Sequence, residues 1–187
     1  KDRNSLLGLV QRSLDALVDF KLVAESNKDK LQEYGVKLEE FDYAGYFEGE
    51  IARHLKLEPG VYQKGKSIAQ KLQGRKRVFS HGDFHLGNMV ENSDGVTIID
   101  LAKANYSSEL YDVAMLLEQD KLSLTEEEKK QFVEAYLPQY SLTEYLEEAA
   151  FVNLQIGKKL NNPNKSYYNQ EQAERYRQKA IDIMNRI

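Results

Sequence analysis

The chain has 187 residues, of which 41% are hydrophobic and 30% charged, so it can bury a sizeable core beneath a charged surface. No apolar run reaches the length of about eighteen residues that a membrane span needs, and a net charge of −4 disfavours a nucleic-acid-binding role. The absence of cysteine excludes disulfides and thiolate metal sites, and it fits a reducing, cytoplasmic location.

Helical periodicity dominates the first part of the chain. Apolar residues recur at helical spacing from Ser5 to about Tyr34, and Asn4 or Ser5 is the candidate cap of that helix. Further helices are predicted from Tyr43 to Leu55 and from Tyr62 to Leu72, and the breaker sequences EPG and QGRK end them.

Near residue 76 the pattern changes to short apolar runs. RVFSH is followed by a polar loop, then by NMVE, and NSDG separates NMVE from VTIID. Asp94-Gly95 between two β-prone runs is a hairpin signal. We therefore expect a strand, a loop and a β-hairpin at about residues 76–101.

The remainder of the chain is predicted to be helical. The segments are SELYDVAMLLEQ, TEEEKKQFVEAY, SLTEYLEEAAFVNLQIGKKL and QEQAERYRQKAIDIMNRI. Thr125 and Glu128 have capping-box spacing, and NNPNKSYYNQ reads as a connection between helices. The expected fold is mainly α with a small β-hairpin insert (α+β), in a single domain over residues 1–187.

The loop HGDFHLGN, from His81 to Asn88, concentrates polar side chains and contains two of the three histidines. Asp83 lies in the loop, Asn88 ends it, and Asp100 ends the apolar strand VTIID. Mg²⁺ prefers hard oxygen ligands, commonly one or two carboxylates completed by phosphate oxygens and water. A hairpin between Asn88 and Asp100 would return Asp100 close to Asn88, as phosphoryl transfer from ATP requires.

The loop HGDFHLGN and the later IID resemble the aminoglycoside phosphotransferase and choline kinase-like family, whose pattern is close to H-G-D-x-H-x-x-N. The protein-kinase catalytic loop has the same Asp-to-Asn spacing. The resemblance implies Asp83 as catalytic base, Asn88 and Asp100 as metal ligands, and His81, His85 and Asp112 as supports of the loop.

The resemblance also implies a fold and an activity. The chain would be the C-terminal lobe of a protein-kinase-like fold, from an ATP-dependent phosphotransferase that uses Mg²⁺ and acts on a hydroxyl of a small molecule. The family's β-rich, nucleotide-binding N-terminal lobe is expected to be missing from this chain, so residues 1–187 alone should turn over little. Leu86 replaces a frequent proline of the family, and Leu101 a frequent aromatic residue.

Other interpretations compete with this one. A kinase-like scaffold can serve as a catalytically silent binding module. GVYQKGKS, from Gly60 to Ser67, fits the phosphate-loop pattern of P-loop NTPases, although a polar, proline-ended stretch precedes it where a buried strand is needed. His81, Asp83 and His85 alternate as in a metal-hydrolase loop, but the chain offers no second cluster of such ligands.

Overall fold

Helices dominate the computed structural model, which describes residues 2–36, 38–93 and 95–187. The predicted fold class, mainly α with a small β insert, is confirmed. Asp94 of the predicted hairpin turn lies outside the described residues. Among the helices in the described ranges, none is both long and apolar enough to cross a lipid bilayer.

The chain begins with α1 (Arg3–Ser26), α2 (Lys28–Glu33), α3 (Tyr43–Tyr46), a π-helical turn (Phe47–Ile51), α4 (Ala52–Leu55) and α5 (Pro59–Gln73). The first predicted helix is divided at Asn27, whose side chain donates a 2.8 Å hydrogen bond back to the carbonyl of Val23. Its predicted cap was wrong, because Asp2 caps the helix by accepting from the Ser5 N–H at 3.0 Å.

The stretch from Gly60 to Ser67 lies wholly inside α5, which begins at Pro59 as its first helical residue. Its backbone therefore follows a helix and does not form the open loop, following a buried strand, that wraps phosphates in P-loop NTPases. The P-loop interpretation is wrong.

The later elements are β1 (Arg77–Ser80), β2 (Met89–Asn92), β3 (Gly95–Ile98), β4 (Asn105–Ser108), α6 (Tyr111–Leu117), α7 (Glu126–Tyr136), α8 (Leu142–Leu160) and α9 (Gln170–Arg186), with short 3₁₀ turns at Leu86–Asn88 and Asp120–Leu122. The predicted hairpin is the antiparallel pair β2–β3, with Met89 opposite Ile98. Strand β4 was missed: it pairs antiparallel with β1, with Phe79 opposite Tyr106. Asparagine and serine are poor strand formers, so tertiary pairing creates this strand.

The described chain divides into two compact units, and the first comprises Lys1–Phe41 with Lys76–Tyr140. It contains all four strands and the candidate loop. Ala24 of α1, Phe79 of β1 and Ala104 form a small apolar core. Every residue of α6 is buried. The predicted capping box of Thr125 and Glu128 is present at the start of α7.

The second unit comprises Asp42–Arg75 with Ser141–Ile187. Its helices surround the buried carboxylate of Glu148, which is inaccessible to solvent. Glu148 accepts hydrogen bonds from the Tyr43 hydroxyl at 2.8 Å and from the Arg75 guanidinium at 3.2 Å. Gly157 lets α8 approach α9 closely, because a Cβ there would lie 3.1 Å from the Ala173 carbonyl oxygen. The expectation of a single domain over residues 1–187 stays a prediction.

Candidate active site

Asp112, on the first turn of α6, is hydrogen-bonded to the backbone of the loop that follows β1. This carboxylate is fully buried, and it accepts from the backbone N–H of His81 at 2.9 Å and of Gly82 at 3.1 Å. Hydrogen bonds to a charged partner contribute about 1.5–3 kcal/mol each, so Asp112 holds the start of the loop firmly. These two bonds place Asp112 against the start of the loop, and the supporting role that the resemblance implies stays a prediction.

His81 braces the same loop from inside the unit. Its ring is fully buried, accepts from the Asp83 N–H at Nδ1 (3.3 Å), and lies 2.9 Å from the Ile99 carbonyl at Nε2. One acceptor and one donor nitrogen correspond to the neutral tautomer with its hydrogen on Nε2. Because both nitrogens are engaged, His81 cannot be a metal ligand, and the metal-hydrolase interpretation fails.

Gly82 is required by its surroundings. Its φ is +79°, and a Cβ at this position would lie 1.9 Å from the carbonyl oxygen of Lys103. A left-handed conformation with no room for a side chain is available only to glycine. The turn after Asp100 is thus packed directly against the residue that precedes Asp83.

Asn88 joins the loop to the hairpin. Its side-chain Nδ2 donates to the Asp83 carbonyl at 2.9 Å, and its own carbonyl accepts from the Ile99 N–H at 3.0 Å. The pairing of β2 with β3 thus continues one residue beyond Met89 and Ile98, to Asn88 and Ile99. Asp100 is the next residue after Ile99. The segments that carry Asp83, Asn88 and Asp100 are brought together, as the hairpin prediction requires.

Asp100 adopts a left-handed backbone conformation, with φ of 64°. Its Oδ1 accepts from the Ala102 N–H at 3.2 Å, which closes a local turn, and the residue is exposed. Aspartate visits this conformation more readily than most residues because its side chain can bond the nearby backbone. The turn follows β3 directly after Ile99, the residue whose N–H bonds the Asn88 carbonyl.

Asp83 and His85 lie on the solvent side of the loop. The Asp83 side chain is 20% exposed, and its Oδ1 lies 3.9 Å from the His85 Nε2. The other ring nitrogen of His85 accepts from the Gly87 N–H at 3.0 Å, which fixes the 3₁₀ turn before Asn88. His85 therefore supports the loop locally while its outer nitrogen stays near Asp83.

One supporting residue is not evident from the sequence. Gln119, just after α6, accepts from the Leu86 N–H at 3.2 Å and donates to the carbonyls of Met115 and Leu116 at 3.2 Å. It thus ties the second half of the loop to α6. Its position just beyond the apolar run of α6 is only a weak sequence signal for a supporting residue, because glutamines with no such role also follow helices.

The donor set fits a hard divalent cation completed by phosphate oxygens. Because Asn88 Nδ2 is used as a donor, its Oδ1 is left as an acceptor, and described residues bond neither this oxygen nor Oδ2 of Asp100. Over residues 2–36, 38–93 and 95–187, no group of three or more His, Cys, Asp or Glu side chains could hold a metal by itself. Two protein oxygens with phosphate and water ligands are the usual arrangement for Mg²⁺.

Comparisons with known proteins bear on the family and the fold of the chain. The model of the phosphotransferase enzyme family (APH) matches residues 10–151. The choline kinase LicA from Streptococcus pneumoniae superposes with a TM-score of 0.71 at 16% identity, over 100% of this chain and 66% of that chain. An ethanolamine kinase of Plasmodium vivax gives 0.52 at 12% identity, over 97% and 50%. No curated protein sequence matches the chain.

Proposed function

The chain belongs to the phosphotransferase enzyme family, and on this premise we propose that it carries the catalytic loop of a kinase that phosphorylates a hydroxyl group of a small molecule. The observation that supports the proposal most directly is the hydrogen-bonded junction of loop and hairpin. The Asn88 amide bonds the Asp83 carbonyl, and the Asn88 carbonyl bonds the residue before Asp100.

Each side chain has a distinct task in this proposal. ATP with Mg²⁺ supplies the transferable phosphoryl group when it is bound. Asn88 and Asp100 hold the cation through the oxygens that no described residue bonds. Asp83 accepts the proton of the acceptor hydroxyl as that oxygen bonds to the γ-phosphorus, while the bond to the β,γ-bridging oxygen breaks and ADP leaves.

The acceptor is proposed from chemistry shared with the structural neighbours. Both are named for kinases of amino alcohols, and this chain spans 66% and 50% of their lengths. Choline, ethanolamine and related amino alcohols are therefore the first acceptors to test, followed by sugars and aminoglycosides. The further nucleotide-binding lobe expected from the sequence stays a prediction.

Binding at the metal site can be tested without turnover. Mn²⁺·ATP, with Mn²⁺ in place of Mg²⁺, should broaden the amide resonances of residues 83–88 and 99–101 in wild type. Asp100→Asn keeps the acceptor for the Ala102 N–H and tolerates the left-handed backbone, so it should fold normally but lose the broadening. Asp19→Ala, which removes an exposed carboxylate from α1, is the matched control and should keep it.

Catalysis is tested by transfer of labelled γ-phosphate to the acceptor panel. Asp83→Asn should lower the rate by about two to four orders of magnitude, the usual contribution of a general base, without loss of Mn²⁺·ATP broadening. Undiminished broadening in Asp100→Asn would refute the metal assignment. Broadening in wild type without transfer to any acceptor, even in a longer chain that carries the expected N-terminal lobe, would instead support a silent binding module.

A further inference from the structure

The helix α1 carries a charged residue on its buried face. Val10, Leu14, Leu17 and Ala24 are buried at successive spacings of four, three and seven residues, and Lys21 occupies the intervening position of this stripe. The Lys21 side chain is only 19% exposed. A lysine is rarely retained on such a face unless its ammonium group has a partner.

The partner of Lys21 is the support of the candidate active-site loop. Its Nζ lies 3.8 Å from Oδ2 of Asp112 and donates to the Glu109 carbonyl at 3.3 Å. Asp112 Oδ2 is the oxygen that accepts from the His81 N–H. Burying a carboxylate is costly unless it is hydrogen-bonded and paired, and the ammonium group of Lys21 adds a cation to the two N–H donors of Asp112.

We propose that Lys21 is a positioning residue of the phosphotransferase: it compensates the charge of Asp112 and thereby keeps the loop bonds that aim Asp83. The kinetic part of this inference rests on the proposed function, whereas the structural part does not. Lys21 touches neither the reacting atoms nor the metal ligands, and it acts only through Asp112.

The surroundings of Lys21 allow a chemical test. Lys21 borders a cavity of about 560 Å³ within the first unit, whose apolar walls include Leu17, Val18 and Phe79. Replacing Lys21 by alanine removes the atoms of an n-propylammonium ion and leaves their space open to this cavity. An added n-propylammonium ion can therefore replace the lost cation, whereas neutral 1-propanol has similar size without the charge.

The first measurement is hydrogen exchange of the His81 and Gly82 amides by NMR. Lys21→Met keeps the packing of the stem, so it should fold, but both amides should exchange at least about tenfold faster because their charged acceptor has lost its partner. Lys21→Arg should restore protection. The Tyr106 amide, which donates to the Glu39 carbonyl at 2.9 Å, is the internal control and should not change.

The second measurement is rescue of Lys21→Ala. Protection of His81 and Gly82 should return with n-propylammonium but not with 1-propanol. Where phosphoryl transfer is measurable, kcat should fall in Lys21→Met with little change in the KM of the acceptor, and it should recover in Lys21→Arg. These results together would establish a positioning role that simple packing does not explain.

Several outcomes would overturn the inference. They are unchanged exchange of both amides in Lys21→Met, equal rescue by the ion and the alcohol, or failure of arginine to restore protection. Failure of the proposed function would give a different result. Wild type would then show no Mn²⁺·ATP broadening at the loop, while the amides of His81 and Gly82 would still respond to the loss of Lys21.

Discussion

The close approach of Lys103 to Gly82 leads to a quantitative prediction about Gly82→Ala. The new Cβ would meet the Lys103 carbonyl oxygen at 1.9 Å and the Asn105 Nδ2 at 2.8 Å. The chain provides a matched control in Gly35, whose φ of +82° is nearly that of Gly82 at +79°, but where a Cβ would meet nothing within 4 Å. Comparing the two substitutions separates the backbone cost from the steric cost.

The magnitudes follow from the geometry. A left-handed alanine costs about 1–2 kcal/mol, and the reduced freedom of the unfolded chain gives back about 0.4–1 kcal/mol, so Gly35→Ala should lose roughly 1 kcal/mol. In Gly82→Ala the carbonyl must also withdraw by more than about 1 Å to reach an ordinary C···O contact. Such overpacking adds about 1–3 kcal/mol, for a total of about 2–4 kcal/mol.

Urea unfolding of wild type and both variants measures the difference. Both variants should fold, because the total stability of a domain is about 5–15 kcal/mol. Gly82→Ala should also displace Asp83 and abolish phosphoryl transfer, whereas Gly35→Ala should leave transfer unchanged. Equal losses of unfolding free energy in the two variants would refute the close approach of the Lys103 turn to the loop.

Two further predictions concern ion pairs of the first unit. The Arg3 guanidinium beside Glu128 lowers the pKa of that carboxyl from 4.5 to about 2. The pair therefore stabilises the fold above pH 4.5, and this contribution is lost as the pH falls toward 2. Acid unfolding of Arg3→Met should show a smaller loss of stability over this range, and a loss equal to that of wild type would contradict the pairing. Burial of Lys129 lowers its pKa, but the nearby carboxylates, first that of Glu118 at 2.9 Å, raise it by more, so the pKa of Lys129 lies above 10.5. The stability of the fold should therefore fall as the pH rises through that raised pKa. Lys129→Met should cost about 3–5 kcal/mol in urea unfolding because it leaves Glu118 buried without its cation. Lys130→Met, at a half-exposed position, should cost less than about 1 kcal/mol. Similar costs for the two lysines would argue against a buried pair.

Elements with strong local signals could be predicted from the sequence. The capping box at Thr125 and the hairpin around VTIID depend on residues close together in the chain, and both are present. Strand β4 could not be found this way, because NYSS has little intrinsic preference for a strand. It becomes one only where β1, far away in sequence, supplies hydrogen-bonding partners.

The same distinction applies to the candidate site. The loop motif selects Asp83 and Asn88, and the hairpin register brings the segment of Asp100 back to Asn88, so this meeting of segments was predictable. The catalytic and metal-binding roles of the three residues stay predictions. The residues that hold the loop were harder to find. Gln119 and Lys21 act through contacts with distant segments, and neither belongs to a local motif. Their roles depend on packing that a single sequence does not specify.

The backbone around the site bears on whether this loop is a working site or only a stable turn. Packing explains Gly82, because nothing larger fits, and it explains Asp112, because two buried N–H groups need an acceptor. Packing does not explain a carboxylate at residue 100. The left-handed turn there is satisfied equally well by asparagine, and the side chain is exposed. The turn therefore does not itself use the negative charge, and binding of a cation is the role that the proposed function gives it.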